Sequence, residues 1–169
     1  MNSLPDLPIL SVASELEKAL QDGHTILNAP PGSGKSTLVP LLLRDAPWLG
    51  RKKIVMLEPR RIATRACALR MASLLAEQVG QSIGYQTRYE RKLSAATRVE
   101  VITEGLLTRR LQNDPELKDT GLLIFDEFHE RNLHGDLALS LALDTVNSLR
   151  EDLRLLVMSA TLETDKLKL

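Results

Sequence analysis

Short apolar runs alternate with longer amphipathic stretches along most of the chain. Five runs that are apolar or rich in β-branched residues are predicted as strands, at Thr25–Leu27, Ile54–Leu57, Val99–Thr103, Leu122–Phe125 and Leu155–Met158. The stretches beside them are predicted as helices, at Ser11–Gln21, Lys35–Leu43, Ile62–Val79, Gly105–Asn113 and Leu133–Leu149. The run Leu122–Phe125 has no polar alternation, which is typical of a strand buried on both faces. The pattern predicts an α/β fold with a mostly parallel sheet covered by helices on both sides.

The length and the helix-breaking residues refine this picture. With 169 residues, the chain is expected to form one domain with a sizeable core. Pro40 lies inside the second predicted helix, so we expect a kink or an early end there. Residues 1–22 are expected to be a lead and first helix that pack on the domain formed by residues 23–169.

Composition narrows the function classes. Lys plus Arg and Asp plus Glu both number 22, so no overall charge attracts nucleic acid and any polyanion site must be local. Aromatic residues make up 3%, which argues against a surface that binds single strands mainly by stacking bases on rings. The single cysteine, Cys67, excludes an internal disulfide and is expected to be a small buried hydrophobe.

No apolar run approaches the roughly 18 residues of a membrane span. Residues 1–9 also lack the cationic start and apolar core of a signal peptide. We therefore expect a cytoplasmic protein with no membrane partner.

A glycine-rich loop follows the first predicted strand, in the run Ala-Pro-Pro-Gly-Ser-Gly-Lys-Ser that begins at Ala29. Gly32 and Gly34 permit backbone conformations in which successive N–H groups converge on phosphate oxygens. Lys35 would place a cation on the β- and γ-phosphates, and the Ser36 hydroxyl can ligate Mg²⁺. Ala29 departs from the usual pattern, which begins with glycine. The alternative interpretation is a plain glycine turn before an amphipathic helix.

Two adjacent carboxylates follow the buried strand Leu122–Phe125. Asp126 should reach the carboxyl edge of the sheet, where such folds bind ligands, and could hold Mg²⁺ through its waters. Glu127 is the natural candidate to orient or deprotonate an attacking water. An acidic turn after a strand is the alternative, but its combination with the glycine-rich loop favours a nucleoside triphosphatase.

Other polar residues have weaker signals. His129 and His134 do not have the cysteines or the histidine spacing of a zinc site, and His134 is interpreted as an ordinary surface or core histidine. Arg60 and Arg61 begin a predicted helix after a strand and could bind a phosphate backbone, although a solvated basic turn is the common alternative. Two further elements follow strands and indicate little by themselves: Thr103, Glu104 and Gly105, and Ser159, Ala160 and Thr161.

In this order, the elements resemble the motifs of the DEAH group of superfamily 2 helicases. The run Asp-Glu-Phe-His-Glu-Arg that begins at Asp126, with Leu133 and Asp136 after it, is similar to the signature of that group. Phe128 stands where alanine is usual. This residue and the run Leu-Glu-Pro-Arg-Arg that begins at Leu57 most closely resemble the bacterial HrpB-type subgroup, and the resemblance covers essentially the whole chain.

The resemblance implies a RecA-like, three-layer α-β-α domain of the P-loop NTPase class. It assigns ATP binding to Pro31, Gly32, Ser33, Gly34, Lys35, Ser36 and Thr37. It assigns catalysis to Lys35, Glu127 and His129, and Mg²⁺ binding to Ser36, Asp126 and Glu127. Arg70 lies one to two turns into the helix after Arg60 and Arg61, which is the spacing of an arginine that stacks on the nucleotide base in this family. Such stacking tolerates different bases, so nucleoside triphosphates other than ATP are also expected to bind. Nucleic-acid contacts are assigned to Arg60, Arg61, Thr103 and Gly105, and coupling of hydrolysis to strand movement to Ser159 and Thr161.

The resemblance also implies partners. They are single-stranded nucleic acid, RNA rather than DNA, and a second RecA-like domain that would carry an arginine finger. Because this chain has no such domain, it is expected to bind nucleotide weakly and to hydrolyse it very slowly by itself. Two other functions share the phosphate loop, a non-catalytic nucleotide-binding module and a P-loop kinase.

Overall fold

The computed structural model of the chain describes residues 5–130 and 132–160. Within these residues a seven-stranded sheet is flanked by five α-helices. The strands are β1 (Thr25–Asn28), β2 (Lys53–Glu58), β3 (Ile83–Gln86), β4 (Arg91–Lys92), β5 (Val99–Thr103), β6 (Thr120–Phe125) and β7 (Arg154–Ser159). The helices are α1 (Ala13–Asp22), α2 (Lys35–Leu43), α3 (Arg61–Leu74), α4 (Glu104–Asn113) and α5 (Leu133–Ser148).

The strand order is β1-β7-β6-β2-β5-β3-β4, and every neighbouring pair is parallel except β3 with β4. The predicted, mostly parallel sheet is therefore confirmed. The carboxyl ends of β1, β2, β5, β6 and β7 meet at one edge of the sheet, so the segments that follow these five strands are brought together there.

Alternate residues of each central strand face two separate apolar cores. In β2, Ile54 and Met56 pack with α1, α2 and α3, whereas Val55 and Leu57 pack with α4 and α5. All six residues of β6 are buried, as predicted for a strand covered on both faces. The domain is a three-layer α-β-α sandwich.

The structure differs from the sequence prediction at β3 and β4, which were not predicted. These strands are short, and β4 is exposed. Gly84 lets β4 approach closely, because a Cβ atom there would collide with the Lys92 carbonyl. Helix α3 ends at Leu74 rather than Val79, since Ala76 adopts a left-handed φ of 55°. Residues Pro8–Val12 form a 3₁₀ turn, so α1 begins later than predicted.

A kink or an early end was expected at Pro40, and the early end does not occur, because helix α2 continues for three residues beyond this proline. Proline cannot donate to the carbonyl four residues earlier, which belongs to Ser36. The thiol of the buried Cys67 lies 3.3 Å from this carbonyl and donates to it. This hydrogen bond supplies the partner that Pro40 removes.

Arg150 is a buried guanidinium that holds the chain before β6. It is 9% exposed and donates to the carbonyls of Leu117 and Thr120, each at 2.9 Å, to the Glu116 carbonyl and to the Asp152 carboxylate. Arginine supplies enough donors for all four partners.

We expect Arg150→Met to lower the free energy of unfolding by about 2–4 kcal/mol, because several buried carbonyls lose charge-assisted hydrogen bonds. Urea unfolding of the chain, followed by circular dichroism, measures this loss. The matched control is Arg51→Met, at an exposed turn, which should change stability by less than about 0.5 kcal/mol. Equal midpoints for the two variants would contradict the structural role of Arg150.

Candidate functional site

The glycine-rich loop connects the end of β1 to the start of α2. Gly32 and Gly34 have φ values of 78° and 92°, which side-chain-bearing residues rarely adopt. A Cβ atom on Gly34 would also lie 2.8 Å from Leu7 Cδ1, since the amino-terminal lead packs on the loop. Ala29 has no left-handed φ, so this position does not require the glycine of the usual pattern.

Helix α2 begins at Lys35, so its first N–H groups and the positive end of its dipole face the loop. The amide of Ile9 donates to the Ser33 carbonyl at 3.1 Å and fixes the loop from outside. The loop can therefore bind a polyphosphate with backbone donors, a helix dipole and one lysine.

A chain of contacts joins this loop to the segment after β6. Lys35 is 3% exposed, and its Nζ atom lies 3.1 Å from Glu127 Oε1. Glu127 Oε2 lies 3.3 Å from His129 Nε2, and the backbone N–H of Ala160 donates to His129 Nδ1 at 3.4 Å. Because Nδ1 accepts this bond, Nε2 is the ring nitrogen that faces Glu127.

Glu127 has an uncommon backbone conformation, with φ at 51°. Left-handed geometry costs a non-glycine residue about 1 kcal/mol, and such strain clusters at functional sites. The conformation turns the chain directly after Asp126 and directs adjacent carboxylates to different partners.

Asp126 is 2% exposed at the end of β6, and its Oδ1 atom accepts the Glu127 N–H at 2.9 Å. Its Oδ2 atom is buried and has no hydrogen-bond partner among the described residues. Burial raises the pKa of Asp126, and the Ser36 hydroxyl lowers it in part. A buried free carboxylate oxygen beside a hydroxyl fits Mg²⁺, which binds through one or two protein oxygens and its own waters.

Glu58 is a residue of the site that the sequence analysis missed. It ends β2 and is 4% exposed. Burial and then the neighbouring Asp126 raise the pKa of Glu58 to about 9, so it is protonated at neutral pH. The sequence could have indicated Glu58 through its position at the end of a predicted strand, two residues before the candidate Arg60.

A cavity of about 480 Å³ opens between α2 and α3 at this edge of the sheet. Its lining includes Ser36, Thr37, Glu58, Arg70 and Glu127. The exposed Arg70 therefore borders the same space as Ser36 and Thr37 of the phosphate loop, and its contact with a nucleotide base stays a prediction.

The two arginines at the start of α3 point to different partners. The Arg60 guanidinium forms an ion pair with Glu130, in the segment that also carries Glu127. The Arg61 guanidinium lies over the ring of Tyr89, 5.2 Å from its centroid. Tyr89 lies beyond β3 and is 70% exposed. The sequence analysis did not identify this cation–π pair, because β3 and β4 were not predicted.

Thr103 and Gly105 flank the first residue of α4, at the end of β5. Ser159 is fully buried, and its carbonyl accepts the Ala29 N–H at 3.0 Å. Thr161, predicted to couple hydrolysis to movement, and Arg131, part of the acidic signature, lie outside the described residues.

Comparison with known proteins decides the family. The family model described as DEAD/DEAH box helicase matches residues 13–169. The chain belongs to the DEAD/DEAH box helicases.

Individual relatives of this helicase domain are similar over nearly its whole length. The ATP-dependent RNA helicase HrpB of Escherichia coli (strain K12) is 50% identical over 98% of this chain. HrpA of Borreliella burgdorferi is 36% identical over 94%, and the probable ATP-dependent RNA helicase DHX34 of Homo sapiens is 38% identical over 92%. A crystal structure of the Escherichia coli DEAH/RHA helicase HrpB matches 95% of the chain with a TM-score of 0.91 and 51% identity. The likeness confirms the RecA-like fold.

The chain spans only part of these helicases. It covers 20% of Escherichia coli HrpB, 19% of HrpA and 13% of DHX34. Among residues 5–130 and 132–160, no helix could cross a membrane, and no group of three or more His, Cys, Asp or Glu residues could enclose a metal ion.

Proposed function

We propose that this chain is the nucleotide-binding first RecA-like domain of an ATP-dependent DEAH-type RNA helicase. In the full-length protein it would couple hydrolysis of a nucleoside triphosphate to movement along a single strand. The observation that carries the proposal is the 3.1 Å contact between Lys35 and Glu127. It joins the cation of the phosphate loop to the carboxylate proposed for water activation at one edge of the sheet.

Triphosphate binding begins with the backbone N–H groups of the loop from Gly32 to Lys35. The γ-phosphate then competes with Glu127 for the Lys35 ammonium group. When Lys35 turns to the phosphates, Glu127 loses its cation and becomes available to a water molecule. The contact thus pairs the two groups with each other until a nucleotide separates them.

Hydrolysis needs a base beside the attacking water, and Glu127 is the candidate. Its Oε1 atom would accept the proton of the water, while His129 Nε2 continues to orient Oε2. Asp126 and Ser36 would hold Mg²⁺, which supplies charge stabilisation at the phosphate oxygens. Protonated Glu58 limits the negative charge around Asp126, because three ionised carboxylates in that space would repel one another.

The nucleic-acid surface would include Arg61 and Tyr89 together with Thr103 and Gly105. Arginine binds phosphate, and an exposed tyrosine stacks on bases without regard to sequence. RNA is the proposed strand because the relatives named above are described as RNA helicases. The second RecA-like domain belongs to the remaining part of the full-length protein, whose relatives are about five times longer than this chain.

The proposal is tested by ATP hydrolysis of the full-length protein, titrated with single-stranded RNA and separately with DNA. We expect turnover to rise with RNA. ATP binding without turnover would indicate a non-catalytic module instead. Phosphate transfer to a small acceptor, independent of nucleic acid, would indicate a kinase.

We expect Arg61→Gln to weaken RNA binding about equally for all sequences and to lower the slope of log K against log salt by about one phosphate contact. Fluorescence anisotropy at several salt concentrations measures both effects in the full-length protein. Arg51→Gln is the matched control, because Arg51 is exposed before β2 at the opposite end of the sheet. An unchanged slope with an altered base preference would contradict a phosphate contact.

A further inference from the structure

Glu104, the first residue of α4, contacts the start of α5. Its Oε1 atom accepts a hydrogen bond from Asn132 Nδ2 at 3.2 Å. Asn132 is the N-cap of α5, and its Oδ1 atom accepts the Gly135 N–H at 2.9 Å. One amide side chain therefore caps a helix with its oxygen and holds a carboxylate with its nitrogen.

Gly135 leaves the space that Glu104 occupies. A Cβ atom at this position would lie 2.7 Å from Glu104 Oε1 and 3.5 Å from Asn132 Nδ2. Gly135 is helical and has no left-handed φ, so backbone conformation does not explain a glycine here. The glycine is explained by the close approach of the Glu104 carboxylate, which leaves no room for a Cβ atom. The negative charge also lies beside the positive end of the α5 dipole.

The contact joins two parts of the domain with different proposed roles. Glu104 lies between Thr103 and Gly105, the proposed nucleic-acid contacts at the end of β5. Asn132 lies two residues after Glu130, in the segment that carries Glu127 and His129. Displacement of the start of α4 by a bound strand would therefore pull on the segment that positions the attacking water.

We propose that Glu104 is a positioning residue that transmits nucleic-acid binding to the hydrolytic segment through Asn132. The inference rests on the proposed helicase function and deepens it. Glu104 contacts neither nucleotide nor strand in this scheme. It fixes the distance between the two segments, so that occupation of one changes the geometry of the other. The Arg60–Glu130 ion pair joins the same segment to the start of α3, but both side chains are more exposed.

The first test uses the full-length protein and the ratio of ATP turnover with saturating single-stranded RNA to turnover without it. For Glu104→Ala we expect this ratio to fall about fivefold or more, with basal turnover near that of the parent. Glu104→Gln keeps an acceptor oxygen for Asn132 and should retain most of the ratio. Glu15→Ala is the control, because Glu15 is likewise a glutamate in the first turn of a helix, α1, but is exposed and lies away from the site.

The second test approaches the same contact from α5. Asn132→Asp keeps a good N-cap but replaces the donor with a carboxylate that repels Glu104. Gly135→Ala raises helix propensity but displaces the Glu104 carboxylate. Both variants should lose the RNA-stimulated ratio as Glu104→Ala does. Thermal unfolding confirms that each variant is folded.

Three outcomes are distinct. A parental ratio in Glu104→Ala and Asn132→Asp would overturn the inference and leave the helicase function intact. An equal fall of basal and stimulated turnover would overturn it as well, since it would assign the contact a purely structural role. A parent protein that RNA does not stimulate would instead overturn the proposed function itself.

Discussion

Replacement of Lys35 by alanine is expected to lower kcat/KM for ATP by about 10²–10³-fold in the full-length protein, because preorganised charges at transferring phosphates have effects of this size. The fold should persist. Lys35 contributes one ion pair, to Glu127, whose side chain remains 29% exposed and keeps its contact with His129. The variant therefore leaves the Glu127 carboxylate in contact with solvent and with His129.

The measurement is steady-state ATP hydrolysis together with the affinity for a fluorescent ATP analogue. Lys118→Ala is the control, because Lys118 is exposed in the loop before β6. This loop lies at the opposite edge of the sheet from the phosphate loop. Thermal unfolding should give the same midpoint for the parent and both variants. Unchanged nucleotide affinity and unchanged turnover in Lys35→Ala would remove the phosphate loop from the mechanism.

Replacement of Glu127 by glutamine is expected to lower kcat by about 10²–10⁴-fold while nucleotide binding is retained. The amide is nearly isosteric with the carboxylate but cannot accept the proton of the attacking water. In the ligand-free state, the variant also frees the Lys35 ammonium group from its carboxylate partner. ATP affinity should therefore stay equal or rise slightly, since the phosphates no longer compete with Glu127.

Single-turnover hydrolysis and equilibrium binding separate the two effects. Glu151→Gln, at an exposed turn before β7, serves as the control and should behave as the parent does. Asp126→Asn should differ from Glu127→Gln, because loss of the buried carboxylate charge weakens Mg²⁺-dependent binding. Parental hydrolysis by Glu127→Gln would assign water activation to another residue.

Much of the fold could be predicted from the sequence. Five strands were located to within two residues because each is a dense apolar run that must be buried. The strands β3 and β4 escaped prediction for a physical reason. Gly84 has no side chain to indicate a strand, and β4 is short and solvated. Their pairing depends on β5 and on the close approach at Lys92, which are tertiary contacts.

The expectation of a kink or an early end of α2 at Pro40 came from a local rule, and the helix nevertheless continues to Leu43. The rule is correct about the lost hydrogen bond, but it considers only the helix itself. Cys67 belongs to α3 and supplies the missing donor from outside. A single thiol of this kind leaves no pattern in the sequence.

The residue types of the site and their chain order were determined by the sequence. A strand, a turn with Gly32 and Gly34, and Lys35 at a helix start form a local unit, whose conformation follows from neighbouring residues. The position of Asp126 after a wholly apolar run likewise fixed its place at the carboxyl edge of a buried strand.

Only the tertiary structure decided which distant side chains meet. The pairing of β6 with both β2 and β7 brings Glu58 to Asp126 and Ala160 to His129. The tertiary structure also brought Arg60 to Glu130 and Arg61 to Tyr89, although the two arginines are adjacent in sequence. Local sequence specifies backbone conformation through short-range sterics, whereas contacts between segments depend on strand order and on the packing of the layers. These long-range terms join the Lys35 side chain of the glycine-rich loop to Glu127 and His129 at one edge of the sheet.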